Sequence, residues 1–407
     1  MKQLDKPAIE GGKPIRSKPI SAFPKFTNEE IEAVVEVLKS GKLTTLVGEV
    51  TRKFEEEFAK FHGVKHAIAV SNGTVALHVA LRAIGVKPGD EVITTPFTFV
   101  ASASSILHQN AIPIFADIDR ETFNIDPASI EERISNKTKA IIAVHLCGHP
   151  AEMDQIMKIA DDHDLMVIED CAQAIGAEYR GKIVGGIGHV SAFSFYQSKN
   201  ITTGEGGMVL TNDDEIAEKA KLIRHHGEPE WYHYVLLGYN YRMTEMQAAL
   251  GLAQLNRLEE LNGRRMEIAK IYTDELEDVD ALTLPTAKPH VKHVWHIYNV
   301  LIDLKRVRKT RDEIVKAIKA ENVWVGICYP TVLYLEPIFQ EKIGHGNGCP
   351  WKCPLYGREV EYKKGLCPNA EWVSERVFTL PTQPALSDDQ VIDIARAVKK
   401  VIKYYQI

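Results

Sequence analysis

One lysine stands in a setting that could make it reactive. Lys199 lies in the stretch 191–209, SAFSFYQSKNITTGEGGMV, between an apolar run that reads as a strand and a glycine-rich turn. An amine attacks an aldehyde only once it has lost its proton, and a partly desolvated pocket favours that loss. Ser194, five residues earlier, offers a hydroxyl to a phosphate. Gly204, Gly206 and Gly207 let the chain turn and carry the lysine to the strand ends.

Two further groups of residues could complete such a site. Ser71-Asn72-Gly73-Thr74 follows an apolar run and opens a helical pattern. Free N–H groups at a helix start, with a glycine for close approach and a hydroxyl beside it, suit a phosphate. Asp170, with Gln173 three residues on, ends the run Met166-Val167-Ile168-Glu169. A carboxylate at the end of a buried strand carries a desolvation cost unless a cation meets it, and a pyridinium nitrogen would do so. A phosphate cradle, a carboxylate for a ring nitrogen and an imine-forming lysine, in that order, are what pyridoxal phosphate chemistry requires.

The elements that must position these residues are legible as alternation. Apolar runs at 67–70, 91–95, 112–116, 140–144, 166–170 and 192–195 are separated by helical patterns at 74–84, 101–108 and 153–163. That order predicts an α/β fold with a mostly parallel central sheet covered on both faces and a site at the carboxyl ends of its strands. Upstream, Thr27 and Glu30 form a capping box for a helix with Ile31, Val34, Val35 and Leu38 at helical spacing, and a second helix spans 50–61. Residues 244–276 read as one long helix. Pro285 and Pro289 mark a domain junction, giving an arm at 1–26, a large domain at 27–284 and a smaller C-terminal α+β domain at 285–407. The segment 343–370, rich in glycine and proline, reads as a functional or interface loop.

From about residue 20 to the C-terminus the chain resembles the DegT/StrS family of sugar or cyclitol aminotransferases, of the aspartate-aminotransferase fold type I. The resemblance implies that Lys199 forms the imine with pyridoxal 5'-phosphate and moves the substrate proton, and that Asp170 pairs with the pyridine nitrogen. It implies that Gln173 meets the phenolic oxygen and that Gly73, Thr74 and Ser194 hold the phosphate. In Pro96-Phe97-Thr98-Phe99-Val100 it gives Phe99, with Phe97 as the alternative, the ring-stacking role. Asn240, in Gly238-Tyr239-Asn240-Tyr241-Arg242-Met243, would reach a phosphate in the neighbouring subunit, so the expected assembly is a homodimer with shared active sites.

Gln197, two residues before the lysine, resembles the branch acting on ketocyclitols. The implied reaction moves an amino group from glutamate or glutamine to a scyllo-inosose-like ketone. A nucleotide-linked ketosugar as acceptor, or a cofactor-binding regulatory protein without turnover, are the alternatives.

Composition limits the other classes. The 407 residues carry a formal net charge of -6 and no long basic run, which excludes nucleic acid as an expected partner. No window approaches the roughly 20 apolar residues that span a bilayer and the first residues lack a signal-peptide core, so no membrane partner and a cytoplasmic location are expected. The six cysteines are too few for a disulfide scaffold. Cys349, Cys353 and Cys367, with His345 nearby, fit no paired Cys-x-x-Cys pattern, so no metal is expected. Arg224 and Arg242 are candidates for anion recognition and His145, His225 and His226 for lining the site; a salt bridge or a structural histidine is the competing reading of each.

Overall fold

The apolar runs form strands β1 (His66–Val70), β2 (Glu91–Thr94), β3 (Ile112–Phe115), β4 (Thr138–Val144) and β5 (Met166–Asp170) in the computed structural model, which describes residues 5–20 and 24–407. Two short strands follow, β6 (Glu178–Tyr179) and β7 (Lys182–Ile183), and then β8 (Val190–Ser194) and β9 (Gly207–Thr211). The seven-stranded sheet has the order β1-β9-β8-β5-β4-β2-β3. Its pairs are parallel from β8 through β5, β4 and β2 to β3, while β9 runs antiparallel to both β1 and β8.

Helices α1 (Asn28–Ser40), α2 (Val50–His62), α3 (Gly73–Ala83), α4 (Ala101–His108), α5 (Pro127–Arg133), α6 (Met153–Asp162) and α7 (Asp214–Arg224) belong with this sheet. Alternate strand residues bury on opposite faces, Ile168, Ala192 and Val209 in one core and Val167, Phe193 and Met208 in the other. That two-sided burial is why these strands read as continuous apolar runs.

The single helix expected over 244–276 is two, α8 (Glu245–Leu255) and α9 (Leu258–Leu276). The chain leaves helical geometry at Arg257, whose guanidinium is drawn to Glu30 and Glu260 at 2.8 Å each. α9 serves two cores: Leu258 packs in the large domain, while Ile268, Ala269, Tyr272 and Leu276 pack in a third. That third core lies under β10 (Leu282–Thr283), β12 (Tyr298–Ile302) and β13 (Val377–Leu380), covered by α10 (Arg311–Lys319) and α13 (Asp388–Tyr405). β11 (Val291–Lys292) turns back to pair with β6.

The segment 343–370 runs from just after α11 (Pro337–Gln340) into the first turn of α12 (Pro368–Ser374) and covers the β3 edge. Tyr362 donates to the Pro113 carbonyl at 2.8 Å, and Trp351 and Tyr356 are buried in the large-domain core. The described part of the expected arm lies on the small domain, with the Ala8 and Ile15 N–H groups on Glu321 at 2.7 and 2.9 Å. Residues 1–4 and 21–23 of that arm lie outside the described residues. Among the described residues no helix is long and apolar enough to cross a membrane.

Candidate active site

Lys199 sits on the connection between β8 and β9. Their antiparallel pairing brings Ser194 opposite Gly207, so residues 195–206 form a closed loop above the sheet. Phe195 N–H donates to Gly206 O at 2.8 Å, Thr203 N–H to Phe195 O at 2.9 Å, and Lys199 N–H to Tyr196 O at 2.8 Å. A Cβ on Gly207 would lie 2.4 Å from the Asn72 carbonyl oxygen, so only glycine lets the loop end this close to the turn before α3.

A cavity of about 790 Å3 opens at these strand ends, and Gly73, Thr74, Phe99, Asp170, Gln173, Ser194 and Lys199 all line it. Burial pushes the Lys199 amine below the ordinary lysine value, against the opposing pull of Asp170, Cys147 and Cys328. Asp170, at the end of β5, is raised by burial, against the hydrogen bonds that Ser102 Oγ (2.8 Å) and the Ala172 N–H (3.2 Å) donate to its carboxylate. Among the described residues it forms no ion pair within hydrogen-bonding reach.

Its neighbour Glu169 points to the other face and is saturated. It accepts from His145 Nε2 at 3.0 Å and from the Gly185, Ile187 and Gly188 N–H groups at 2.7–2.8 Å. Burial would raise Glu169, yet these donors hold it below the usual carboxylate range. His145, Glu169 and Cys171 are the one group of possible metal ligands found close together among the described residues, and Glu169 is already fully engaged there. Cys349, Cys353 and Cys367 are free thiols.

The turn before α3 supplies the anion-binding geometry. Asn72 caps the helix by accepting from Val75 N–H at 2.9 Å, and this leaves the Gly73 and Thr74 N–H groups at the cavity. A Cβ on Gly73 would stand 2.6 Å from Ser194 Cβ, so the glycine seats the helix start directly on the end of β8 beside the Ser194 hydroxyl. Phe99 is 61% exposed and lines the cavity, whereas Phe97 is fully buried and packs edge-on against Phe123 and Tyr329. Gln173 lines the cavity with its amide oxygen on Cys147 N–H and its amide nitrogen donating to Tyr329 Oη, both at 2.8 Å.

Other candidates are not brought here. Asn240 is exposed, bridges to His225 and lies off this subunit's cavity. Arg224 is paired with Glu55 at 2.5 Å and Arg242 contacts His225 at 2.7 Å, both on a separate cavity of about 350 Å3. His225 lies there too, and His145 is sealed beneath the sheet end. Gln197 is exposed and borders a neighbouring cavity of about 670 Å3.

Several lining residues carried no signal of their own in the sequence. Ser102, which holds Asp170, is one serine of a small-residue run on α4. Tyr329 is different: its step into Pro330 resembles the ketocyclitol branch, and the residue reaches the cavity with a left-handed backbone (φ 53°). His78 on α3 faces the cavity with Nε2 unpartnered and its pKa lowered to about 4, mainly by burial. His296, also lining it, is held neutral by burial. The i, i+4 spacing of Thr74 and His78 puts both on one helix face, the one cue available.

These residues fit pyridoxal phosphate: a buried carboxylate with no ion-pair partner to meet the ring nitrogen, a neutral-leaning amine, and a glycine-seated helix start beside a serine. Comparison with known proteins agrees. A family profile described as the DegT/DnrJ/EryC1/StrS aminotransferase family matches residues 24–351 and 347–399. The chain is similar to an uncharacterised protein of Methanocaldococcus jannaschii, 46% identical over 391 residues, which cover 93% of this chain and 96% of that one. It is similar to the GDP-perosamine synthase of Escherichia coli O157:H7, 39% identical over 381 residues, covering 93% and 96%. The fold matches a crystal structure of 3-amino-5-hydroxybenzoic acid synthase with a TM-score of 0.86 at 28% identity, covering 95% of this chain and 100% of the other. The chain therefore belongs to the DegT/DnrJ/EryC1/StrS aminotransferase family and is a pyridoxal-phosphate-dependent aminotransferase of fold type I.

Proposed function

We propose that the protein transfers an amino group from glutamate or glutamine to a ketone on a polyhydroxylated ring, and that the ring is that of a nucleotide-linked ketosugar. The observation that carries the transamination reading is the placement of Lys199 and Asp170 on one cavity with burial acting on each. Bound pyridoxal phosphate supplies the aldehyde and an electron-accepting ring. Asp170 holds the proton on the ring nitrogen. Lys199 Nζ, kept ready to lose its proton, would take up the proton leaving the donor's Cα in the first half of the reaction and deliver a proton to the acceptor carbon in the second. Gly73, Thr74 and Ser194 would hold the phosphate, Phe99 would offer a face to the ring, and Gln173 with Tyr329 would offer polar groups to the phenolic oxygen.

Similarity to a GDP-perosamine synthase over nearly the whole chain supports the nucleotide-linked acceptor. Two observations favour a free cyclitol as the second reading. Gln197 stands in the lysine loop, two residues before Lys199, and the fold is like that of 3-amino-5-hydroxybenzoic acid synthase. Asn240, lying off its own subunit's cavity, supports a site completed by the neighbouring subunit of a homodimer.

The test is a spectrum followed by a screen. Glutamate or glutamine added to the loaded protein should convert the absorption of the bound cofactor to that of its amine form, and Lys199→Ala should abolish turnover. An unchanged spectrum with every donor would leave a binding protein without turnover. Nucleoside-diphosphate ketosugars and ketocyclitols are then offered as acceptors, and turnover only with ketocyclitols replaces the first reading by the second.

A further inference from the structure

Two adjacent arginines on α9 have opposite fates. Arg264 is paired with Glu267 at 3.0 Å and Asp388 at 2.6 Å near the surface. Arg265 is 3% exposed and has no carboxylate within ion-pair distance among the described residues, and residues 1–4 and 21–23 contain no Asp or Glu. Among the described residues its Nε has no hydrogen-bond partner. Taking a guanidinium out of water without a counter-ion is costly, and burial lowers its pKa to about 10. A group retained at that cost needs a reason that its neighbours supply.

Those neighbours are main-chain oxygens from three segments. Nη2 donates to the carbonyl of Lys199 at 3.3 Å. Nη1 faces the carbonyls of His296 and Thr382 at 3.4 Å each and Thr382 Oγ1 at 3.1 Å. The Thr382 hydroxyl in turn donates to His296 O at 2.8 Å. One turn earlier on the same helix, Asn262 Oδ1 accepts from Asn200 Nδ2 at 2.7 Å, so α9 grips two consecutive residues of the lysine loop. A planar fork of fixed donors suits several acceptors from different directions, which an ammonium on a flexible stem does not.

We propose that Arg265 is a positioning residue for Lys199, its guanidinium tying the carbonyl of the reacting lysine to Thr382 and to the segment at His296 that leads into β12. This rests on the reading of Lys199 as the reacting amine. The titratable groups bearing on the Lys199 amine are Asp170, Cys147, Cys328 and His296, of which Asp170 and the two thiols favour the ammonium.

Arg265→Met and Arg265→Lys, measured as purified full-length protein, test the role. In the loaded protein kcat should fall about tenfold or more with the donor KM unchanged. Arg265→Lys should not restore kcat, because charge returns without the fork. An unchanged kcat in folded Arg265→Met overturns the proposal. So does a donor KM that rises while kcat holds, which would mark a substrate anchor.

Should Arg265→Met not fold, Thr382→Val removes one acceptor and keeps the charge. A lower kcat at unchanged donor KM then supports the role, and an unchanged kcat sinks it. Borohydride reduction of the loaded wild-type protein with peptide mapping reads the underlying assignment separately. A tag on Lys199 with inert Arg265 variants overturns only the positioning role, and a tag elsewhere removes both.

Discussion

Lys199 and Asp170 are each held by the fold in a state that burial penalises. The amine is pushed down and the carboxyl pushed up, and a bound cationic ring meeting Asp170 would relieve the second while the first stays ready to react. Such arrangements cost stability, which gives a measurable sign. A lysine whose folded-state pKa is depressed destabilises the fold below that pKa. The penalty fades as pH rises from the folded value to the ordinary value of 10.5, above which both states are neutral. Lys199→Met should therefore make the cofactor-free protein more stable at pH 7, by about 1 kcal/mol after the loss of the amine's attraction to Asp170. Thermal unfolding at pH 7 and at pH 10.5 checks it: the gain should shrink at the higher pH, and a variant less stable than wild type at pH 7 contradicts the burial argument.

At the scale of elements, the helix start of α3 and the end of β8 act as one piece, because Gly73 leaves no room for a side chain above Ser194. Gly73→Ala places a methyl group where Ser194 Cβ stands 2.6 Å away, so α3 or the serine must shift. Overpacking of this kind costs about 1–3 kcal/mol, and here it also displaces the N–H groups at the cavity. The expected result is a lower melting temperature of the cofactor-free protein and a cofactor affinity reduced about tenfold or more, measured by fluorescence titration. Wild-type affinity in that variant would remove the helix start from the phosphate site.

The same elements show what the sequence could and could not reveal. Strand ends such as Asp170 and Ser194 were readable because two-sided burial leaves an apolar run with a polar residue closing it. The glycines after Lys199 read as a turn, but nothing local said that the strand after it runs backwards between β1 and β8. The break between α8 and α9 depends on Glu30, more than two hundred residues earlier, and Arg265 reads as an ordinary helical cation until Thr382 and His296 are beside it. Local periodicity carries elements, whereas contacts between distant segments carry the shell around Lys199.

At the scale of the whole molecule, the apolar stripe of α1 is only partly covered: Val34 and Val35 are half-buried, but Ile31 and Leu38 are each 53% exposed although their spacing predicts a packed face. Trp231, Tyr232, Tyr234, Val235 and Leu237 stand out in solvent in the segment that leads to Asn240. Exposed apolar surface of this extent suits an interface, and the homodimer proposed above would bury it while carrying Asn240 to a neighbouring cavity. A shared site makes a prediction that a private one does not. Lys199→Ala and Asn240→Ala, each inactive or strongly impaired alone, are unfolded together and refolded as a mixture. In a mixed dimer one site then holds both lesions and the other holds neither, so about a quarter of all sites should regain wild-type turnover. If Asn240 serves its own subunit, every site in the mixed dimer keeps one lesion. Activity that does not rise above that of Asn240→Ala alone would then confine the asparagine to its own subunit, while recovery near a quarter would require two subunits to build each site.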